Sequence, residues 1–184
     1  DPFVHIAHLG AVTDRLELAT GIANVYHRHP GVMKQAANTV AEQLGGRVTL
    51  GLGVSSSQIV SKMRGIDYGK PLTVMRADLD AMDASFYASV PPEPAVPVVL
   101  AALGPKMLAL AADRTEGAHT YNVTPEHTRK AREIVGPDAG LFVEQKVVLS
   151  TDPAKAREAA KKGLAFYRNC LLYTSPSPRD GLLS

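Results

Sequence analysis

Apolar residues recur along this chain in two patterns that alternate with each other. From Pro30 onward they fall at steps of three and four until Gly45 and Gly46 interrupt them, which predicts an amphipathic helix. Residues 47–54 (RVTLGLGV) then form a short apolar run that is typical of a buried strand. Five more helices are predicted, beginning at Pro2, Pro71, Pro105, Pro125 and Pro153. Four more strands are predicted, over residues 15–22, 96–102, 118–122 and 141–150.

The order of these elements is one helix followed by five strand–helix units. Such alternation predicts parallel strands joined by right-handed crossovers, in an open doubly wound sheet or a closed barrel. Five units in residues 1–169, extended to eight, give the roughly 250 residues that are usual for a barrel. We therefore expect an α/β fold, namely a partial (β/α)8 TIM barrel with about five of the eight strand–helix units present.

Composition narrows the classes of function. The chain has 184 residues, 20 basic and 18 acidic side chains and 45% hydrophobic residues, which is a globular composition. Its basic residues are scattered among acidic ones, so neither nucleic acid nor a membrane surface is expected as a partner. No apolar run approaches the roughly 20 residues of a transmembrane helix. The single Cys excludes a disulfide scaffold.

The glycines of residues 51–56 (GLGVSS) superficially resemble a dinucleotide-binding fingerprint. The third glycine is replaced by Ser56, no helix is predicted to open there, and no acidic strand end follows. We reject the fingerprint on these grounds. The glycines are better explained as positions where the backbone closely approaches another group at the end of a strand.

Histidine and basic residues give no site by themselves. His27 and His29 lack the further carboxylate, His or Cys partners that a metal needs, so a loop role is favoured and no metal is expected. Arg28, Lys34 and Lys106 are each of the type that binds phosphate, but a single cation is most often a surface group. No catalytic motif is present, so the catalytic residues stay unknown.

Three segments in the chain match a known family in the same order. They are residues 18–22 (LATGI), 43–53 (QLGGRVTLGLG) and 99–107 (VLAALGPKM). Together they resemble the bacterial luciferase-like monooxygenase family. Residues 64–68 (RGIDY), 75–76 (MR) and 80–83 (DAMD) resemble its branch that uses coenzyme F-420, a deazaflavin. The resemblance implies that residues 1–169 supply barrel strands three to seven of a single domain.

The resemblance also implies three groups of cofactor-binding residues. The end of the third barrel strand supplies Thr20, Gly21, Ile22 and Asn24, with a non-proline cis peptide at Gly21–Ile22. The end of the fourth supplies ring and ribityl contacts from Gly53, Val54, Ser55 and Ser56. The turn that would receive the phosphate supplies Ala101, Ala102, Leu103 and Gly104. Two positions depart from relatives, because serines replace an acid after Gly53 and Leu103 replaces a second glycine.

The function implied is an enzyme, an oxidoreductase that transfers a hydride between the deazaflavin and an unknown organic substrate. An FMN-dependent luciferase-like monooxygenase and a non-catalytic flavin-binding relative are the alternatives. The expected partners are a small-molecule substrate and, in the full-length protein, a second copy of the chain. A cytoplasmic location is expected.

The last residues do not continue the pattern. Residues 170–180 (CLLYTSPSPRD) resemble a translated sequencing-adapter end, so residues 170–184 are predicted to be a non-native tail. Residues 1–169 are then expected to be a fragment of the barrel domain, inactive by itself.

Overall fold

The computed structural model describes residues 1–165 of the chain, so the predicted tail lies outside the described residues. The strands are β1 Leu18–Ala19, β2 Ala23–Asn24, β3 Val48–Gly53, β4 Val98–Ala101, β5 Gly117–Tyr121 and β6 Gly140–Glu144. They form one sheet in the order β1–β3–β4–β5–β6, and β2 also pairs with β3. Every pairing is parallel. The predicted α/β fold is confirmed as a partial barrel.

Six α-helices are present among the described residues. They are α1 Pro2–Ala11, α2 Pro30–Gln43, α3 Pro71–Ala84, α4 Pro105–Arg114, α5 Pro125–Val135 and α6 Pro153–Leu164. Each begins with proline, which has the helical φ and lacks an N–H that would go unbonded there. Side chains cap four of the starts, at Asp1, His29, Thr124 and Asp152. The predicted helix starts are thus confirmed.

The core lies between the sheet and the helices. Leu50 and Leu52 of β3 and Leu100 of β4 are almost completely buried and belong to one apolar cluster with residues of the helices. Because side chains alternate across a strand, the residues between them face the opposite side, the barrel interior. Gly51, Gly53 and Ala101 therefore lie on that interior face. At β3 and β4, the outer face of the sheet therefore carries leucines, and the inner face carries glycine and alanine.

The predicted strand over residues 15–22 is wrong in its extent. The structure has two short strands there, β1 and β2, separated by Thr20, Gly21 and Ile22. The peptide bond between Gly21 and Ile22, which lie between the two strands, is cis. Residues 55–70 also contain a π-helical segment, Gln58–Met63, which the sequence did not predict.

The end of the described chain differs from prediction as well. The strand predicted over 141–150 ends at Glu144, because its partner β5 ends at Tyr121, the residue that pairs with Glu144. Val147 and Leu149 beyond it are 86% and 104% exposed. Helix α6 forms as predicted but has no buried residue among those described.

Asp78 is an ionisable group on the buried side of α3. It is 8% exposed, and its Oδ2 has no hydrogen-bond partner among the described residues. Burial raises the pKa of its carboxyl from 3.8 to about 6, and the nearby charge of His29 opposes this shift. The fold therefore carries a carboxyl that is easier to bury when protonated.

Asp78→Asn is expected to stabilise the protein in a pH-dependent way. The pKa of Asp78 is higher in the folded protein than in the unfolded chain, so this residue favours folding most below about pH 3.8. Its contribution to the unfolding free energy is lost as the pH rises through about 6. The variant lacks this loss, so its gain in unfolding free energy is expected to be larger at pH 8 than at pH 4 by up to about 3 kcal/mol. Urea unfolding of the intact protein measures this, with exposed Asp113→Asn as control. A gain that does not change with pH contradicts it.

Candidate functional site

The predicted cofactor residues come together where β2, β3 and β4 end. The Thr20 hydroxyl donates a hydrogen bond of 2.7 Å to the Gly51 carbonyl. A Cβ built on Gly53 would lie 2.7 Å from Cγ1 of Ile22 and 3.2 Å from Cβ of Ala101. The ends of three neighbouring strands are therefore packed side by side on the interior face, as parallel barrel strands require.

The cis peptide between Gly21 and Ile22 is the one that the family resemblance implies, and the expectation is confirmed. Gly21 is exposed, and an added Cβ there would meet nothing within 4 Å. Ile22 is partly buried, with its side chain over Gly53. Asn24 is buried, and its side-chain oxygen accepts from the backbone N–H of Tyr26 at 3.0 Å. Gly21 is thus accessible at this strand end, while the Asn24 side chain holds the following turn.

The glycines of β3 admit protein rather than leaving an empty cleft. A Cβ on Gly51 would lie 2.0 Å from the Thr20 carbonyl oxygen, so the backbone of residue 20 occupies that space. At Gly53 the same space is taken by the Ile22 side chain. The close approach expected from the sequence is therefore made by the segment between β1 and β2 of the same chain. The cofactor contacts expected of Gly53 stay a prediction.

Two tyrosines fasten the loop after β3 over the strand end. The rings of Tyr26 and Tyr68 stack with centroids 5.5 Å apart, and the Tyr26 hydroxyl donates to the Tyr68 carbonyl. The Tyr68 hydroxyl donates to the Ser55 carbonyl at 3.0 Å. Burial, and next the charge of Asp67, raise the pKa of Tyr26, which keeps its hydroxyl a donor. Val54, Ser55 and Ser56 are consequently held beside the end of β3, with Ser55 at a φ of 56°.

The turn from β4 into α4 is held by a buried histidine of α5. His127 is 5% exposed, and its Nε2 lies 2.8 Å from the Leu103 carbonyl oxygen. A carbonyl only accepts, so Nε2 carries the proton. Ala102, buried in the turn, donates its N–H to the His119 carbonyl at 3.0 Å. Gly104 is the N-cap residue of α4 and makes no side-chain cap. The first N–H groups of this helix therefore have no side-chain acceptor.

The sequence did not single out two ionisable residues of the interior face. His119 on β5 lies between Ala118 and Thr120, which are fully buried toward the helices, so its side chain points to the interior. Its Nδ1 lies 3.2 Å from the Phe142 carbonyl oxygen, and its Nε2 lies 3.7 Å from Oε2 of Glu144. Period-two alternation around His119 was the signal that could have placed it there.

His27, Lys34 and Arg28, which the sequence offered as candidates, make contacts with other parts of the chain. His27 Nε2 lies 2.6 Å from the Arg64 guanidinium, and burial, then Arg64 and Arg28, lower the pKa of His27. Lys34 donates to backbone carbonyls of α3 and its C-cap, and Arg28 pairs with Asp1. Within residues 1–165 no group of three or more acidic, His or Cys side chains could hold a metal. No helix in that same range is long and apolar enough to cross a membrane.

Almost the whole chain matches one protein family. The model of the luciferase-like monooxygenase family matches residues 1–183. The chain belongs to the luciferase-like monooxygenase family. Two curated relatives are a 5,10-methylenetetrahydromethanopterin reductase of Archaeoglobus fulgidus, 29% identical over 86% of this chain, and a coenzyme F-420-dependent glucose-6-phosphate dehydrogenase of Beutenbergia cavernae, 27% identical over 82% of it. The chain spans only 55% and 54% of their lengths, about half of each.

Solved structures share the luciferase-like fold. The coenzyme F-420-dependent tetrahydromethanopterin reductase of Methanopyrus kandleri matches 96% of this chain and 62% of its own, with a TM-score of 0.73 and 19% identity. A coenzyme F-420-dependent secondary alcohol dehydrogenase, solved with a cofactor–acetone adduct, matches 99% and 62% with a TM-score of 0.74 and 17% identity. Likeness at this identity shows the fold alone.

Gly51→Ala tests the packing of this luciferase-like strand end. The new Cβ would lie 2.0 Å from the Thr20 carbonyl oxygen, so the backbone must shift, at an expected cost of at least about 1–3 kcal/mol. Urea unfolding of the intact protein measures the loss. The control is Gly163→Ala in α6, where a Cβ meets nothing within 4 Å and a gain of up to about 1 kcal/mol is expected. Equal stability of the two variants would argue against the packing.

His127→Leu tests the support of the β4–α4 turn. The change removes the donor to the Leu103 carbonyl, so the unfolding free energy is expected to fall by about 1–3 kcal/mol. His127→Gln keeps an N–H donor and should lose clearly less, as urea unfolding can measure. A leucine variant as stable as the glutamine variant would show that the hydrogen bond contributes little.

Proposed function

We propose that this chain forms the cofactor-binding part of an oxidoreductase that transfers a hydride between coenzyme F-420 and an organic substrate. Family membership supports the proposal, as do the names of three of the four proteins above, which state dependence on coenzyme F-420. The carrying observation is the small-residue interior face at the carboxyl ends of β3 and β4. In barrels this end of the strands is where ligands bind.

The interior face suits a planar ring. Ala101 carries only a methyl group, and beside it the Ile22 side chain covers Gly53. A flat tricyclic ring needs such a surface, because larger side chains would hold it away from the backbone. We infer that Thr20, Gly21, Ile22 and Asn24 form the wall behind the ring and that Gly53, Val54, Ser55 and Ser56 border it.

The start of α4 suits the phosphate of the cofactor. The helix has ten residues, no side-chain cap and an N-terminal turn whose backbone is held by His127. Unbonded N–H groups and the positive end of the helix dipole favour an anion there. We assign Ala101, Ala102, Leu103 and Gly104 to this contact, with Leu103 limiting how closely the phosphate approaches.

The chemistry divides between cofactor and protein. When bound, the deazaflavin supplies the hydride carrier, while the protein binds, orients and shields it. None of the twelve residues assigned to the cofactor has an ionisable carboxylate, imidazole or ammonium group. Ser55, Ser56 and Ser57 stand where some relatives have an acid, so the proton that accompanies the hydride needs another group.

A spectrum of the purified intact protein tests the proposal. Bound deazaflavin absorbs in the violet and stays reduced in air, whereas bound FMN is bleached on reduction and is reoxidised by air. Titration with each cofactor then gives its Kd. Preferential binding of FMN would favour the oxygen-activating monooxygenase, and binding of a flavin without turnover would favour a non-catalytic relative. Binding of neither cofactor overturns the proposal. The substrate, the cytoplasmic location and a second copy of the chain stay predictions.

Gly104→Val tests the phosphate contact. A branched side chain at the start of α4 should obstruct the approach to the free N–H groups and weaken deazaflavin binding at least tenfold, which is about 1.4 kcal/mol. His27→Ala is the matched control, because His27 contacts Arg64 and is expected to change the Kd little. Fluorescence titration decides between them. Unchanged affinity in the valine variant, or a large loss in the alanine variant, would place the phosphate at another strand end.

A further inference from the structure

One row of residues crosses the interior face in register. Ala101 pairs with His119, and His119 pairs with Phe142. Gly53 lies one residue beyond the pairing of Leu52 with Leu100, so it stands beside Ala101 in the same row. Neighbouring strands are about 4.8 Å apart. The Ile22 side chain covers Gly53, so a planar ligand lying over Ile22 and Ala101 ends at His119.

The hydrogen bonds of His119 fix which nitrogen exchanges a proton. Nδ1 is 3.2 Å from the Phe142 carbonyl oxygen, and a carbonyl only accepts, so Nδ1 carries a hydrogen. Nε2 is then the nitrogen that gains and loses a proton. The Glu144 carboxylate lies 3.7 Å from Nε2, where it balances the charge of the protonated ring. The His119 side chain is 20% exposed and that of Glu144 is 47% exposed, so a ligand can reach the pair.

We propose that His119, paired with Glu144, forms the ionisable wall of the ligand site and exchanges a proton at Nε2 with an oxygen atom of the bound ligand. The proposal rests on the proposed function, since it assumes a ligand on the interior face. The oxygen belongs to the cofactor ring or to the substrate lying against it. Either is a carbonyl or hydroxyl oxygen, which a protonated imidazole can contact as a donor.

The pair supplies what a hydride transfer requires. When a hydride leaves the carbon of an alcohol, the O–H bond breaks and neutral Nε2 takes the proton, while the two electrons leave with the hydride to the deazaflavin. In the reverse direction a carbonyl carbon receives the hydride, and protonated Nε2 returns its proton to the oxygen. Imidazole suits both directions because one ring nitrogen can accept a proton and later return it.

Few other charges face His119 from the elements packed against it. On β4 its neighbour is Ala101, and on β6 it is Phe142, with Glu144 next to it. Beyond β6, the ammonium of Lys146 lies 5.4 Å from the centre of the Tyr121 ring. Within the described residues, Glu144, Lys146 and Tyr121 are therefore the titratable groups that any pH dependence has to take into account.

Chemical modification of the intact protein tests where His119 lies. Diethyl pyrocarbonate acylates accessible imidazole nitrogens, and peptide mass spectrometry reports the rate for each histidine. Oxidised coenzyme F-420 is expected to slow the modification of His119 at least fivefold. His5 and His8 on exposed positions of α1 should be modified at unchanged rates. Unchanged modification of His119 with saturating cofactor overturns the proposal.

The pH dependence of cofactor affinity tells the two sources of the oxygen apart. If the oxygen belongs to the ring, affinity should fall as Nε2 loses its proton, by up to about tenfold per pH unit. His119→Gln should lack this dependence, while His8→Gln keeps it. Protection without such a difference assigns the oxygen to the substrate. Should His119→Gln fail to fold, the modification experiment on the wild-type protein still decides.

A wild-type protein that binds no coenzyme F-420 refutes the proposed function itself. Binding without protection of His119 leaves that function standing and refutes only the role of the pair.

Discussion

The absence of side chains at Gly51 and Gly53 is the constraint on which the site depends. At Gly51 a methyl group would lie 2.0 Å from a backbone oxygen, a distance that no rotamer change can relieve. The chain can pass from β1 to β2 close against β3 only because these positions are glycine. That passage places Ile22 over Gly53 and aligns the ends of three strands. Replacing either glycine would therefore disturb the candidate site by displacing the segment between β1 and β2.

The two faces of the sheet differ in packing and in polarity. Leucines of β3 and β4 fill the outer face against the helices and are almost fully buried. The inner face carries glycine and alanine at one side and the polar pair of His119 and Glu144 at the other. Outer-face packing thus fixes the backbone to which the inner-face residues belong. The polar side chains of His119 and Glu144 are tolerated on the inner face because no helix of the described residues packs against it and both stay partly exposed.

Much of the fold followed from the sequence, because local signals decide it. Proline at the first helical position marked the helix starts, and Gly45 and Gly46 marked the end of α2, both through backbone conformation. The break between β1 and β2 and the early end of β6 depend on partners distant in sequence, so no local pattern reports them. The cis peptide was anticipated from family resemblance. The proximity of His119 to Glu144 depends on the register of β5 and β6. The hydrogen bond from His127 to the Leu103 carbonyl joins residues 24 positions apart.

The contacts that hold the loop after β3 have a consequence for how freely its sequence can change. The loop is tied at its two ends, by Ser55 at the start and by Tyr68 against Tyr26 at the finish. Between these ties only Val60 is buried. Apart from Val60 and Arg64, which contacts His27, the residues between these ties can change in length and polarity while the sheet beneath keeps its shape. Substitutions in this loop can therefore alter the edge of the candidate site without altering the sheet.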